Sequence, residues 1–430
     1  MAKILVCADG FFRAFSAFGL EPYIEGFINT LVRNGNYVMP CIAKDFEIAG
    51  KFRRKYIKRK TNKEILAFNP DLIIAFNNAI DPECICNLTC PILVIASDTP
   101  VYWRSKDFIK NNSARYSVAY FNNDMADLLN TEYKIPLNRQ ILIPYSTDMH
   151  ANKKIAAKYD ISFIGNFYNP NPFLSDYLFR NLMDMSDENK AELKKLVTSI
   201  FDELEKKHEK TPNTLELYKK IISILGYDRG YDKFVAECFI SLTQEKRQKL
   251  FDNLLDMDLH IWTWDANLKC ICNNHKLFEK CHLDACYSQE QNEAVYNSSK
   301  ISLNMPHGQA NTGFSWRVCD ILASNALLIS NPSEDLTRLF GGIIPTYKNA
   351  KELREKIKYY LTHDKERREI VEKCHKIINK NHRYENVFEV IGNYYNFKLL
   401  GTGAGELTLP ACTIYKQNKW LRNHKNKKVI

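Results

Sequence analysis

The stretch Lys300–Gly342, KISLNMPHGQANTGFSWRVCDILASNALLISNPSEDLTRLFGG, decides how this chain folds. The apolar run Ile301–Leu303 ends at Asn304, Pro306 and Gly308, as a buried strand running into a loop would. A second loop, Asn311-Thr312-Gly313, leads into Phe314–Ala323, whose apolar residues recur at helical spacing. Ala326–Ser330 then reads as a second buried strand, stopped by Asn331-Pro332. Strand, loop, helix and strand in that order make a βαβ unit, and hence a parallel sheet. Its loop carries His307, Asn311, Thr312 and Arg317 near a helix start, where amides, dipole and guanidinium together suit a diphosphate. Arg317 and Asp320 also have the spacing of a solvated i,i+3 ion pair. Their place at the C-terminal edge of a sheet favours the ligand reading.

Working outward toward the N-terminus, Gln289–Gln291 open a helix after Ser288, and Asp258–Trp262 reads as a strand. Trp262, Thr263 and Trp264 at its end either frame a nucleobase or belong to the core. Residues 173–256, rich in Lys, Glu and Leu without a sustained heptad, form a helical insertion. Before it, Asp160–Ile164 is the first strand of this half and ends at Gly165-Asn166. Asp256-Met257-Asp258 spells D-x-D but reads as a helix-to-strand turn. Toward the C-terminus, Ile343–Tyr347 is a short strand, Ala350–Leu361 and Lys365–Asn379 are helices, and Tyr384–Phe397 is the last long helix. Cys270, Cys272, Cys281 and Cys286, with His275 and His282, could hold zinc. Their C-x-C-x8-C-x4-C spacing is not that of a ribbon or finger, so free thiols are the expectation.

The first half repeats the alternation of short apolar runs and helices: strands at Lys3–Cys7, Tyr37–Ile42, Asp71–Phe76, Ile92–Ala96, Ser117–Phe121 and Ile141–Ile143, with a helix at Pro22–Arg33. That is a doubly wound parallel sheet. It has no G-x-G-x-x-G, which argues against dinucleotide binding there. Its strand ends carry Asp9 and Arg13, Asn77-Asn78, and Ser97-Asp98-Thr99-Pro100 with Tyr102 and Trp103. Carboxylates flanked by aromatic rings suit a sugar, which presents an apolar face and a rim of hydroxyls. Asp98 and Asp9 are the candidate general bases, and Arg13 and Tyr102 the candidate acceptor contacts. Each carboxylate also fits a turn or cap.

A chain of 430 residues is expected to form two domains. No apolar run reaches the roughly 20 residues of a membrane span. Met1–Cys7 reads as a strand and not a signal peptide, and the 13 scattered cysteines suit a reduced, cytoplasmic protein. The net charge of +10 is concentrated in Lys51–Lys60 and Lys416–Lys428. No nucleic-acid module accompanies them, so nucleic acid is not an expected partner. The tail, with Trp420, Leu421 and Ile430 among its lysines, suits anionic lipid headgroups or is a solvated terminus.

The motif run L-N, G-F-x-R-x-x-D, A-L-L-I-S, D-L…F and Y-K-N-A-K-E-L is similar to the C-terminal half of GT-B glycosyltransferases, in particular the CgeB-like, spore-maturation-type branch. The resemblance covers residues 158–400. This chain has Asp320 where that branch usually has Glu, and Asn325 where Gly often stands. The resemblance implies two Rossmann-like doubly wound domains facing a cleft: 1–150 for the acceptor, 156–385 for the nucleotide-sugar with its insertion at 173–256, and a C-terminal helix and basic tail over 386–430. It implies that Arg317 faces the donor phosphates, Asp320 the ribose, and the Gly165-Asn166 turn the diphosphate. It also marks Asp98-x-Pro100 as a conspicuous strand end. With the loop residues Asn304, His307, Gly308, Gly313 and Phe314, these make the donor site, and His307 is placed to act on the sugar or a phosphate oxygen. Amides of Gly165, Gly308 and Gly313 are expected to cradle the diphosphate. The implied activity is metal-independent sugar transfer from a nucleotide-diphosphate-sugar to a hydroxyl of a glycan, lipid-linked or protein acceptor. Bacterial surface glycan or glycoconjugate synthesis, at the inner membrane face, is the expected setting. No cofactor is expected, since the nucleotide-sugar is a substrate. A non-catalytic sugar-nucleotide-binding protein and a two-domain sugar-nucleotide epimerase are the alternatives.

Overall fold

The computed structural model describes residues 1–13, 17–47, 51–168, 185–205, 212–225, 231–283, 286, 288–310 and 312–413. Its framework is two parallel sheets. The first contains β1 (Lys3–Ala8), β4 (Tyr37–Ile42), β5 (Leu72–Phe76), β6 (Ile92–Ile95), β7 (Tyr116–Tyr120) and β8 (Gln140–Leu142). A small antiparallel hairpin, β2 (Phe11–Arg13) and β3 (Ala17–Gly19), follows β1. The sequence order around the sheet reverses at β1, with β4 on one side and β5 to β8 on the other. Strands β5 and β6 are buried along their whole length because helices cover both faces, which is why they read as unbroken apolar runs.

Helix α1 (Pro22–Arg33) shows how local signals fix an element. Pro22 supplies a ready φ at the first turn. Ile24, Phe27, Ile28 and Leu31 face the core, and the helix stops at Asn34-Gly35, where Gly35 has φ +86°. Short α2 (Ala43–Glu47) precedes α3 (Lys51–Phe68), which buries Ile57, Thr61 and Ile65 at four-residue intervals. Arg53, Arg54, Lys55 and Arg59 of the basic run therefore lie on its exposed face. Helices α4 (Pro82–Ile85), α5 (Lys106–Asn111) and α6 (Ala126–Tyr133) complete this lobe.

Residues 144–158 lead to the second sheet, in the order β11 (Cys281–His282), β10 (Leu259–Trp262), β9 (Tyr159–Ile164), β12 (Ser299–Asn304), β13 (Leu327–Ser330). The reversal here falls at β9. Between β9 and β10 come α7 (Asp187–Glu205), α8 (Pro212–Leu225) and α9 (Tyr231–Asp252), the described part of the expected insertion. They share an apolar cluster, including Leu193, Ile200, Ile221, Phe239 and Leu242, that takes in Val101 of the first lobe. Short α10 (Asp265–Leu268) and α11 (His275–Phe278) follow β10, and α12 (Gln289–Asn297) is capped by the Ser288 hydroxyl.

Two expectations fail in this half. The helix after Gly313 begins only at Arg317, as α13 (Arg317–Leu322), because Phe314 is turned aside to stack on Tyr145 at 3.9 Å. Ile343–Tyr347 forms no strand; it makes a single bridge, Ser330 to Thr346, and Pro345 has no N–H for a longer ladder. Helix α14 (Glu334–Phe340) precedes it, capped by Ser333.

The chain ends α15 (Ala350–Thr362), α16 (Asp364–Asn381), α17 (Tyr384–Tyr395) and β14 (Glu406–Leu407). Helix α17 packs Phe388 edge-on against Phe27 of α1 at 4.9 Å, and β14 adds itself to β4. The return to the first lobe is thus made by both the last helix and the segment after it. The tail expected to meet lipid, 416–430, lies outside the described residues.

Candidate functional site

In open parallel sheets, ligands bind at the C-terminal ends of the strands where the order reverses. Here those points are the loops after β1 and β5 in one lobe and those after β9 and β12 in the other. The candidate residues gather at these four ends and at the neighbouring end of β6.

In the second lobe two guanidiniums converge on the end of β9. Arg317 and Arg247 each place Cζ 5.5 Å from the centre of the Phe163 ring. Arg317 Nη1 is 3.4 Å from Asn304 Oδ1, which also accepts from the Ser315 hydroxyl at 3.0 Å, while Asn304 Nδ2 donates to Ser330. Asn304 therefore orients Arg317. A Cβ on Gly165 would sit 2.5 Å from the Phe163 ring and 3.2 Å from Arg317 Nη2, so only glycine lets these groups meet. Arg247, buried in α9, donates to the carbonyls of Asn166 and of Met305 (2.8 Å), pinning both loops together. Burial lowers its pKa to about 10, and its Nε has no hydrogen-bond partner. Neither arginine is ion-paired to a carboxylate among the described residues.

His307 lies between Tyr102, Tyr168 and Phe239, and burial, then Arg247 and Arg317, push its pKa down to about 3. It is a neutral imidazole at any working pH. Asp320 is buried, with Oδ1 accepting from the Thr147 hydroxyl at 2.5 Å; burial raises its pKa to about 7. Its carboxyl is thus partly spent on the segment joining the lobes.

On the first lobe, Asn77 adopts φ +48° after β5, which aims its side chain at the next strand's end. Asn77 Oδ1 accepts from the amides of Ser97 (3.0 Å) and Asp98 (2.8 Å), and Nδ2 donates to Asp98 Oδ2 at 2.6 Å. The other oxygen of Asp98 accepts from Gln309 of the facing lobe, whose Oε1 in turn accepts from Thr99 N at 3.1 Å. Burial raises the Asp98 pKa against the pull of these two amides. Asp9 is paired with Arg104 at 2.6 Å and is half exposed. Tyr102 donates to Ala236 O at 3.2 Å. The side chain of Arg13 lies outside what the structure describes.

Several sequence expectations need correction. The amides of Gly165 and Gly308 are already committed, to Trp262 O (3.0 Å) and Thr243 Oγ1 (2.7 Å), so they do not cradle a diphosphate in this arrangement. Phe314 packs on Tyr145 and is core, not a donor contact. Gly313 serves the seam between lobes: a Cβ there would stand 2.3 Å from Tyr145 Oη and 2.4 Å from Asn122 Nδ2. Trp262 is buried, stacked on His282 at 4.1 Å, and frames no nucleobase. The four cysteines of the candidate metal cluster are free thiols, and no group of three or more His, Cys, Asp or Glu among the described residues is placed to hold a metal. Asp256, by contrast, is a turn residue as the sequence suggests, and accepts from both terminal guanidinium nitrogens of Arg354.

Sequence reasoning missed Arg247 and Glu21. Arg247 sits in a Lys-rich helix where nothing marks it as buried. Glu21 precedes Pro22 and looks like a helix start. Burial, then Asp98 and Asp9, raise its pKa to about 7, with Arg317 pulling the other way.

Residues 246–392, from the end of α9 into α17, match the family model described as glycosyl transferase-like. No curated protein matches the chain. Among solved structures, an alpha-glucosyltransferase in complex with UDP-glucose and DNA containing an abasic site is similar at 10% identity. The likeness covers 92% of this chain and 99% of that one, with TM-score 0.50. A glycosyltransferase from Rickettsia africae ESF-5 is similar at 10% identity over 92% and 98% of the two chains, TM-score 0.41. TarM is similar at 11% identity over 78% of this chain, TM-score 0.43, and the chain spans 57% of the length of TarM. The architecture is GT-B: two Rossmann-like lobes, each presenting the carboxyl ends of a parallel sheet to the other.

Proposed function

We propose that this chain is a glycosyltransferase that moves a sugar from a nucleoside-diphosphate-sugar to a hydroxyl. The observation that carries the reading is the pair Arg317 and Arg247 at the switch point of the second sheet, the first half-buried and the second buried, neither ion-paired with a carboxylate among the described residues. Such burial costs several kcal/mol per ion unless an anion offsets it. A diphosphate supplies that charge, and the family-model match over the same lobe supports the choice.

On this reading residues 156–385 take the donor and 1–150 the acceptor. Arg317 meets the diphosphate directly. Arg247, with two N–H groups on backbone carbonyls, contributes field more than contact. Asp320 offers a ribose hydroxyl the oxygen not held by Thr147, and neutral His307 donates or accepts at the sugar. Negative charge grows on the leaving diphosphate as the glycosidic bond breaks, so fixed guanidiniums act most strongly in the transition state, the task a divalent ion performs elsewhere. Membership of the CgeB-like branch, surface-glycan synthesis and attachment of 416–430 to anionic lipid belong to the same proposal.

The test is a thermal-shift screen against UDP, GDP and ADP, then mass analysis of products from the matching sugar nucleotide. A ligand that binds only the native state at about 100 times its Kd adds about 2.7 kcal/mol and raises Tm. Sugar appearing on an added acceptor supports a transferase. Binding with no chemistry indicates the non-catalytic reading, and an epimerised donor indicates the epimerase. No shift with any nucleoside diphosphate refutes all three.

A further inference from the structure

The first lobe fixes Asp98 by its own means. Asn77 takes the Asp98 amide at 2.8 Å and Oδ2 at 2.6 Å, and the Trp103 indole donates to the Asp98 carbonyl at 3.0 Å. The remaining carboxylate oxygen, Oδ1, faces the second lobe beside the N–H of Thr99. The two make a paired edge, an acceptor and a donor on successive residues. Gln309 meets both with one carboxamide: Nε2 donates to Asp98 Oδ1, and Oε1 accepts from Thr99 N at 3.1 Å. That glutamine rides on the loop after β12, between His307 and Arg317, the residues read above as meeting the sugar and the diphosphate. Half-buried rings stand close by. The Tyr23 hydroxyl is 3.2 Å from Ser97 Oγ, and Tyr102 lies edge-on to His307 with centroids 5.9 Å apart.

We infer that Asp98 Oδ1 and Thr99 N–H form the acceptor subsite, that they take two neighbouring hydroxyls of a sugar, and that Gln309 keeps the place of those hydroxyls until the acceptor arrives. The inference rests on the glycosyltransferase reading. A carboxamide presents its donor and its acceptor side by side on one carbon. Adjacent hydroxyls of a pyranose offer the same pair at nearly the same spacing, one donating to the carboxylate and the other accepting from the amide. A lone alcohol has to serve both groups from a point between them and fits neither at full length. While Gln309 is seated, only the small fraction of molecules with the edge open can bind, and the apparent acceptor affinity falls by that fraction. Removing the carboxamide lifts that penalty and leaves the edge itself intact, because Asn77 and Trp103 still hold Asp98.

The test compares wild type with Gln309→Ala and Asp98→Asn. Calorimetric titration with UDP, GDP or ADP reads nucleotide binding. The protein saturated with the diphosphate that binds is then titrated with octyl glucoside below its micelle concentration, and with triethylene glycol monooctyl ether, which has the same tail and a lone hydroxyl. We expect both variants to bind the diphosphate like wild type, and octyl glucoside to bind more tightly than the ether. Gln309→Ala should bind octyl glucoside about 10-fold more tightly, the scale of a hydrogen bond to a charged group, and Asp98→Asn about 10-fold more weakly. Wild type that binds no nucleoside diphosphate overturns the glycosyltransferase reading itself. With the diphosphate bound, any of three results overturns the subsite alone: octyl glucoside held no better than the ether, affinity unchanged by Asp98→Asn, or affinity unchanged or weakened by Gln309→Ala. Weakening is what a purely structural clasp would give.

Discussion

Replacing Arg317 with alanine separates a ligand-binding cation from a structural one, because the two roles predict opposite changes in stability. Arg317 and Arg247 each lie 5.5 Å from the same ring centre, so their charges are about 11 Å apart at most. At an effective dielectric near 20 that distance corresponds to about 1.5 kcal/mol of repulsion or more. What Arg317 gains in direct contact is small: a 3.4 Å approach to Asn304 and the face of Phe163, with the carboxyls of Asp320 and Glu21 near enough to feel its charge but not ion-paired to it. Arg317→Ala should therefore leave the free protein's Tm unchanged or slightly higher. A lost charged hydrogen bond costs about 1.5–3 kcal/mol, so the same variant should weaken nucleoside-diphosphate affinity roughly 10- to 150-fold. Differential scanning calorimetry and isothermal titration on one preparation read both quantities. A variant that melts lower and binds the diphosphate as well as wild type would refute the reasoning.

Other outcomes follow from single contacts. Asp320 has a folded-state pKa near 7, above the usual carboxylate value, so the folded protein binds more protons than the unfolded chain between about pH 4 and 7. Its contribution to stability is present below that window and lost as pH rises through it. Asp320→Asn, which can still accept from Thr147, should flatten the fall in Tm and melt higher at pH 8; an identical pH profile would contradict this. Gly313→Ala would drive a methyl into Tyr145 Oη and Asn122 Nδ2 and should cost about 1–3 kcal/mol by chemical denaturation, against no change if the seam is loose. Thiol titration of the native protein should show two fast cysteines, the exposed Cys86 and Cys272, and reduction should leave the intact mass unchanged; a loss of fast thiols on omitting reductant would point to a disulfide.

Most of the framework could be read from the chain because its signals are local. A strand covered on both faces must be apolar throughout, and Leu72–Phe76 and Ile92–Ile95 are. A helix such as Pro22–Arg33 carries its own start and stop. What escaped depends on distance in sequence. Strands β11 and β14 have two residues each, too few for any periodicity, and exist only because a neighbouring edge is open to them. Phe314 reads as helical until Tyr145, far away in the chain, pulls it aside. Arg317 was legible from its loop. Arg247 was not, since only the packed fold reveals that one arginine of a basic helix reaches two loops at once. The same holds for the amides of Gly165 and Gly308, which a motif marks as free and the fold engages.

The chain crosses between lobes twice, and the crossings lie side by side: Thr147 and Arg383 form a parallel bridge, with Thr147 N donating to His382 O at 3.0 Å. Elsewhere along the seam, Gln309 clasps Asp98 and Thr99, Tyr102 donates to Ala236 O, and Tyr23 stacks on Trp316. Two lobes joined along a spine and clasped at several points beyond it part like a book only when the clasps let go together. A bulky acceptor would therefore need the Gln309 carboxamide, the Tyr102 hydroxyl and the Tyr23 ring all to release before its entrance opened.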